Sequence, residues 1–157
     1  TRSARLEAVF RVLLRTHHMV GLRAHHFGVT VTELDRAIEF YRDVLGLPVL
    51  DRFTVEGPSF SKCVGVEGAT GKFAHLDAEG VRVELVEYDP EAAGGTKNAI
   101  NRPGAKHLGL EIDDVEAFYE ALPEGVETLS EPQTTESGSR ILFLRDPEDN
   151  LVEIIET

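Results

Sequence analysis

Apolar and polar positions alternate from His26 to Val31. Phe27, Val29 and Val31 share one face and His26, Gly28 and Thr30 the other, the pattern of a strand with two different sides. The period then changes. Leu34, Ala37, Ile38, Tyr41, Val44 and Leu45 fall on one helical stripe, with Thr32 placed to cap its start and Asp35 three residues on as a weak capping box. Gly46 supplies a left-handed stop and Pro48 forbids continuation. Such a strand–helix unit must cover the Phe27/Val29/Val31 face with its helix. His26 is then left on the uncovered face, beside a glycine with no side chain to fill the space.

The same pattern returns. His107-Leu-Gly-Leu-Glu-Ile-Asp-Asp-Val-Glu matches His26-Phe-Gly-Val-Thr-Val-Thr-Glu-Leu-Asp, with Gly109 at the place of Gly28 and Asp113 at the place of the Thr32 cap. Val115, Phe118, Tyr119 and Leu122 repeat the helical stripe, and Pro123 and Gly125 stop it. The ends match as well: Arg-Val-Glu-Leu-Val-Glu at 82–87 and Leu-Val-Glu-Ile-Ile-Glu at 151–156. Two copies rather than an array predict a duplicated module closing on itself. Further strands are predicted at 49–55, at 72–78 and 81–88 as a hairpin around Glu79-Gly80, and at 105–112, 127–130, 139–145 and 151–156, with a short helical turn or loop at 59–66. Residues 146–150 supply the last turn. Each half therefore reads β-α-β-β-β: a first module at 22–90, a Gly/Pro/Ala/Asn-rich linker at 91–104 and a second module at 105–157.

Length and composition fit this reading. A chain of 157 residues with 41% hydrophobic and 28% charged positions can bury a core as one domain or two packed halves. No apolar run approaches the roughly 18–20 residues of a membrane span. A net charge of −12 argues against nucleic acid or an anionic membrane as partner. The single cysteine excludes an internal disulfide framework, so a cytoplasmic location is expected. Few of the basic residues are lysine (62, 72, 97 and 106), an acid-rich, lysine-poor balance that suits a high-salt cytoplasm. Residues 1–18 stand apart. Four arginines against Glu7 give this stretch +3 and leave −15 for the rest, and Leu6, Val9, Phe10, Leu13 and Leu14 form a helical stripe. Upstream or expression-derived sequence that can still fold as a helix is the preferred reading, ahead of a targeting segment or a docking helix.

Glu84 and Glu153 hold matching places in the last strand of each half. Their neighbours Val83/Leu85 and Val152/Ile154 point to the helix-covered layer, so both carboxylates share the other face with His26 and His107. Two uncompensated carboxylates are expensive to bury, and a divalent cation offsets that cost while accepting mixed N/O ligands. A lone strand histidine, or a glutamate alternating with apolar residues, is usually only a surface or core residue. Recurrence of both types at matching positions is what favours a metal site. His25 points the other way by alternation and reads as a supporting or surface residue. His75 reads as a partly buried edge residue rather than a cavity lining, and Cys63 as a small buried apolar residue rather than a nucleophile.

At these residues the chain resembles the vicinal oxygen chelate superfamily, which includes glyoxalase I, extradiol dioxygenases, epimerases and bleomycin resistance proteins. The resemblance covers about residues 22–157 and rests on His26-Phe-Gly-Val-Thr-Val, on Ala37-Ile-Glu-Phe-Tyr-Arg-Asp-Val-Leu-Gly-Leu47, and on Asp146-Pro-Glu-Asp-Asn-Leu-Val-Glu-Ile154. It implies an α+β fold of two βαβββ modules forming an open β-barrel, often as a homodimer. It also implies one divalent metal ion (Ni, Co, Zn, Mn or Fe) held by His26, Glu84, His107 and Glu153. The full His/Glu/His/Glu set is most similar to glyoxalase I. That similarity implies a lyase or isomerase acting on a small vicinal-oxygen substrate, such as a 2-oxoaldehyde thiol adduct, by proton transfer through a metal-bound enediolate with Glu153 or Glu84 as base. Bacterial glyoxalase I usually has arginine where this chain has Thr30 and asparagine where it has Tyr88, which implies a different thiol adduct or another substrate. An extradiol dioxygenase using His26, His107 and Glu153, and a metal-free small-molecule binding protein, are the alternatives.

Overall fold

The structure, a computed structural model, describes residues 22–93 and 99–157; the expectations for residues 1–18 and part of the linker lie outside the described residues. The first half runs β1 (His26–Thr30), α1 (Leu34–Glu39), a π-helical turn (Phe40–Val44), β2 (Val49–Glu56), α2 (Pro58–Val64), β3 (Thr70–Asp77) and β4 (Arg82–Asp89). The second runs β5 (His107–Glu111), α3 (Val115–Glu120), β6 (Gln133–Thr134), β7 (Arg140–Arg145) and β8 (Leu151–Glu156). Each half forms a four-stranded sheet of the same topology, β1-β4-β3-β2 and β5-β8-β7-β6. β1 lies parallel to β4 and β5 to β8, while the other pairs are antiparallel. This is an α+β fold of two equivalent sheets.

The strand–helix logic of the sequence is realised in the burial. Val29 and Val31 are buried under Leu34, Ala37, Ile38 and Tyr41, and the inward residues of β4 and β8 (Val83, Leu85, Val152, Ile154) join one apolar cluster spanning both halves. Gly46 adopts φ +73°, the left-handed stop its position demands. The helix itself is shorter than its apolar stripe. Its α-helical part ends at Glu39, and the next turn widens so that Leu45 N–H donates to Phe40 O, five residues back.

Capping departs from the sequence expectation. The N-cap residues are Glu33 and Asp114, each one position beyond the expected Thr32 and Asp113. Asp114 caps its own helix by accepting from Ala117 N–H at 2.9 Å. The first amides of α1 and α3 are served from a distant strand. Leu34 N–H donates to Glu87 and Val115 N–H to Glu156, both at 2.9 Å. Local pattern could not show this, because the acceptors lie far along the chain from the helices they cap.

The second half is the more irregular. The strand expected at 127–130 is reduced to a single bridge, Thr128 with Leu144, flanked by Leu129 N–H to Phe143 O and Arg145 N–H to Glu127 O. Pro132, which has no N–H to donate, sits between this pairing and the two-residue β6 and divides the edge in two. Cys63, expected to be buried, is exposed at the end of α2.

The halves are joined through their helix-covered layers. Tyr41 Oη donates to Asp146 Oδ2 at 3.0 Å, and Thr32 N–H donates to Glu148, both across the join. The opposite faces of the sheets take no part in the shared core: His26, Gly28 and Thr30 of β1 and His107 and Gly109 of β5 are exposed.

Candidate metal centre

Parallel pairing sets the geometry of each open face. In β1 and β4 the register places Gly28 beside Glu84, and in β5 and β8 it places Gly109 beside Glu153. Each glycine leaves the lane next to the carboxylate clear. A Cβ at Gly28 would meet nothing within 4 Å, and one at Gly109 only Glu153 Oε2 at 3.9 Å. The histidine two residues earlier therefore reaches along the lane to its glutamate. His26 Nε2 stands 3.6 Å from Glu84 Oε1, and His107 Nε2 3.1 Å from Glu153 Oε2. The imidazoles are about two-fifths exposed and the carboxylates about one-fifth.

The structure thus brings His26 together with Glu84 and His107 together with Glu153, as two separate pairs. Among the described residues no group of three or more His, Cys, Asp or Glu side chains has the geometry to hold one metal ion. The donors themselves suit a borderline divalent cation, with imidazole nitrogen and carboxylate oxygen in equal number. His26 and Glu84 lie on the first sheet and His107 and Glu153 on the second, so a four-ligand site would need both pairs at one ion.

The surroundings of the first pair are richer than expected. His25 Nδ1 lies 2.8 Å from His26 Nδ1, which engages that nitrogen and leaves Nε2 toward Glu84. His75 is not an edge residue: β3 lies between β4 and β2, and His75 is the direct cross-strand partner of Glu84. Its Nε2 is 2.7 Å from Glu84 Oε2. A hairpin centred on Glu79-Gly80 puts residues equally far from its centre opposite each other. His75 is four before Glu79 and Glu84 four after Gly80, so the pairing was open to counting.

Beyond His75 the same face carries aromatic rings. Phe53 stacks on Phe73 at 5.1 Å, and Phe60 of α2 stacks on Tyr88 at 6.3 Å and meets Phe73 edge-on at 6.0 Å. Gly71 makes room for them, since a Cβ there would fall 2.5 Å from the Phe73 ring and 3.0 Å from the Phe60 ring. The Tyr88 hydroxyl is held above its ordinary pKa, first by burial and then by the nearby Glu84 carboxylate.

A duplicated α+β unit with a His–Glu pair on the open face of each sheet defines the class of protein. The chain belongs to the Glyoxalase/Bleomycin resistance protein/Dioxygenase superfamily, whose family model matches residues 23–154. It is 31% identical to a 2-epi-5-epi-valiolone epimerase from Actinomyces over 75% of this chain and 68% of that protein. It is 28% identical to the lactoylglutathione lyase of Haemophilus influenzae over 83% and 90% of the two chains. Among solved structures, a glyoxalase family protein from Bacillus cereus superposes with a TM-score of 0.80 over 90% of this chain and 97% of its own, at 23% identity. The trypanothione-dependent glyoxalase I of Leishmania major gives 0.60 over 87% of each chain at 21% identity. No helix of the described residues is long and apolar enough to cross a membrane.

Proposed function

We propose that this protein is a metal-dependent lyase or isomerase of the glyoxalase I kind, acting on a small substrate with adjacent oxygens. The observation that carries the reading is the matched pair of His–Glu sites, one on the open face of each sheet. Similarity to a lactoylglutathione lyase and to an epimerase supports it at the level of the superfamily.

His26, Glu84, His107 and Glu153 would hold the ion, with the faces of two copies of the chain completing the set. The exposure of both His-bearing faces, while the helix-covered faces share a core, is what favours two copies. A divalent cation there would supply Lewis acidity toward a substrate carbonyl oxygen. The remaining work belongs to the chain. The imidazoles act as fixed donors, held by their strand and by His25 on the first side. A glutamate carboxylate takes the proton from the carbon beside the carbonyl and returns it to the neighbouring position. Phe53, Phe60, Phe73 and Tyr88 offer an apolar wall to the rest of the substrate. Thr30 and Tyr88 stand where a glutathione-using enzyme would present arginine and asparagine, so a thiol adduct other than that of glutathione is the first substrate class to assay.

Elemental analysis of protein purified without chelator, beside a His107→Ala variant, tests the site. About one equivalent of Ni, Co, Zn, Mn or Fe, lost in the variant, is expected. Absence of metal from the wild-type protein even after reconstitution would retire the enzyme reading in favour of metal-free binding.

A further inference from the structure

We propose that His75 is a positioning residue for the metal ligand Glu84, an inference that rests on the metal-centre reading above. His75 Nε2 lies 2.7 Å from Glu84 Oε2, inside hydrogen-bond distance, while Oε1 of the same carboxylate faces His26 Nε2 at 3.6 Å. A carboxylate oxygen accepts, so in the proposed arrangement His75 donates to Glu84 from Nε2. A nitrogen that carries that proton has no lone pair for a cation. His75 is therefore a support for the ligand and not a fifth ligand.

The ring is held for this task. It is the cross-strand partner of Glu84, its side chain is only 13% exposed, and its edge meets Phe53 at 5.0 Å and 85°. One carboxylate oxygen is thereby occupied and the other is aimed along the lane that Gly28 leaves open. Hydrogen bonds from outside the ligand shell fix the orientation of coordinating side chains and sustain metal affinity. The second half offers a built-in contrast, because the cross-strand partner of Glu153 is Phe143, which cannot donate. Phe143 packs against His107 instead, ring to ring at 5.3 Å.

The test is Co(II) titration of the full chain as wild type, His75→Phe and His75→Gln, followed by visible absorption and competition with a chromophoric chelator. Phenylalanine makes the first half like the second, and glutamine restores a donor at nearly the reach of Nε2. His75→Phe is expected to weaken Co(II) binding roughly ten- to a hundredfold and to change the absorption bands. His75→Gln is expected to recover most of the affinity, with the melting temperature of the metal-free protein little changed. Equal affinity and spectrum in His75→Phe, or a glutamine variant as weak as phenylalanine, would overturn the proposal while leaving the metal site standing. Failure of the wild type to bind Co(II) at all would overturn both. Should the phenylalanine variant not fold, long-range proton–nitrogen NMR of the metal-free wild type decides. A proton on His75 Nε2 supports the proposal, and a proton on Nδ1 alone overturns it.

Discussion

The two half-sites have the same backbone and different neighbours. Each has a histidine on the parallel edge strand, a glycine two residues on, and a glutamate beside that glycine. Across from the glutamate the halves part, with His75 opposite Glu84 and Phe143 opposite Glu153. Duplication has kept the donors and varied what surrounds them. Glu84 is bonded to the His75 imidazole at 2.7 Å and faces that of His26 at 3.6 Å, whereas Glu153 meets His107 at 3.1 Å and has an aromatic ring as its cross-strand partner. A carboxylate that must stay on a metal benefits from the first environment. One that must swing to move a proton benefits from the second.

That contrast assigns different expected losses to the two glutamates. Glu153→Gln removes the freer carboxylate, and turnover is expected to fall by about 10²–10⁴, the usual contribution of a general base, with bound metal largely retained. Glu84→Gln is expected to act first on metal affinity and on turnover through it, so that excess metal in the assay recovers part of the activity. Steady-state kinetics at several metal concentrations would separate the two. Wild-type activity in both variants would remove the glutamates from the reaction, and the reverse assignment would mean that the His75 bond does not decide which carboxylate moves.

Much of the fold on which this asymmetry is built was legible in the sequence. Alternation at 26–31 placed His26 on the open face, and the stripe Leu34/Ala37/Ile38/Tyr41 named residues that are 0–4% exposed. What escaped depends on long-range register. His75 looked like an edge residue because a strand does not reveal whether it has one neighbour or two. The acceptors at the helix starts are expected to be local, yet Glu87 and Glu156 come from distant strands. The expected strand at 127–130 met a proline whose effect depends on which side of the strand is paired. Cys63 lies on α2, a helix none of whose residues is buried, which composition cannot show.

A smaller difference between the halves lies in their turns. Asp77 and Asp146 stand at the same distance before Glu84 and Glu153, and each accepts from the N–H two residues on, Glu79 and Glu148. Asp146 is buried and also takes the hydroxyl of fully buried Tyr41. Burial first, then the Asp146 carboxylate, raises the Tyr41 pKa well above 10.0. The folded state thus keeps a proton that the unfolded chain releases above about pH 10. The contribution of Tyr41 is whole below that pH and is lost as pH rises through the folded value. Tyr41→Phe is expected to cost about 2 kcal/mol at neutral pH, as a hydrogen bond to a charged group would, and to flatten the alkaline loss. Urea denaturation at pH 7 and above pH 10 reads both effects, and an unchanged alkaline slope in the variant would locate the loss elsewhere.

The helix caps are where the halves should agree. Glu87 and Glu156 lie three residues beyond Glu84 and Glu153, the proposed metal ligands, so the same strand sends one carboxylate to the open face and the other to the first amide of the covering helix. A carboxylate at that end satisfies an amide left over by the helix and meets the positive end of its dipole. Glu87→Ala and Glu156→Ala are each expected to cost about 1 kcal/mol, the usual worth of a lost cap, with the metal site intact. Glu87 has one further partner, Lys72 Nζ at 3.5 Å, but that lysine is 61% exposed and such a pair is worth roughly 0–1 kcal/mol. Near-equal losses in chemical denaturation would mean that the cap dominates in both halves. A clearly larger loss for Glu87→Ala, reduced by salt, would show the lysine pair contributing, and the equivalence of the two halves would then stop at the His–Glu donors.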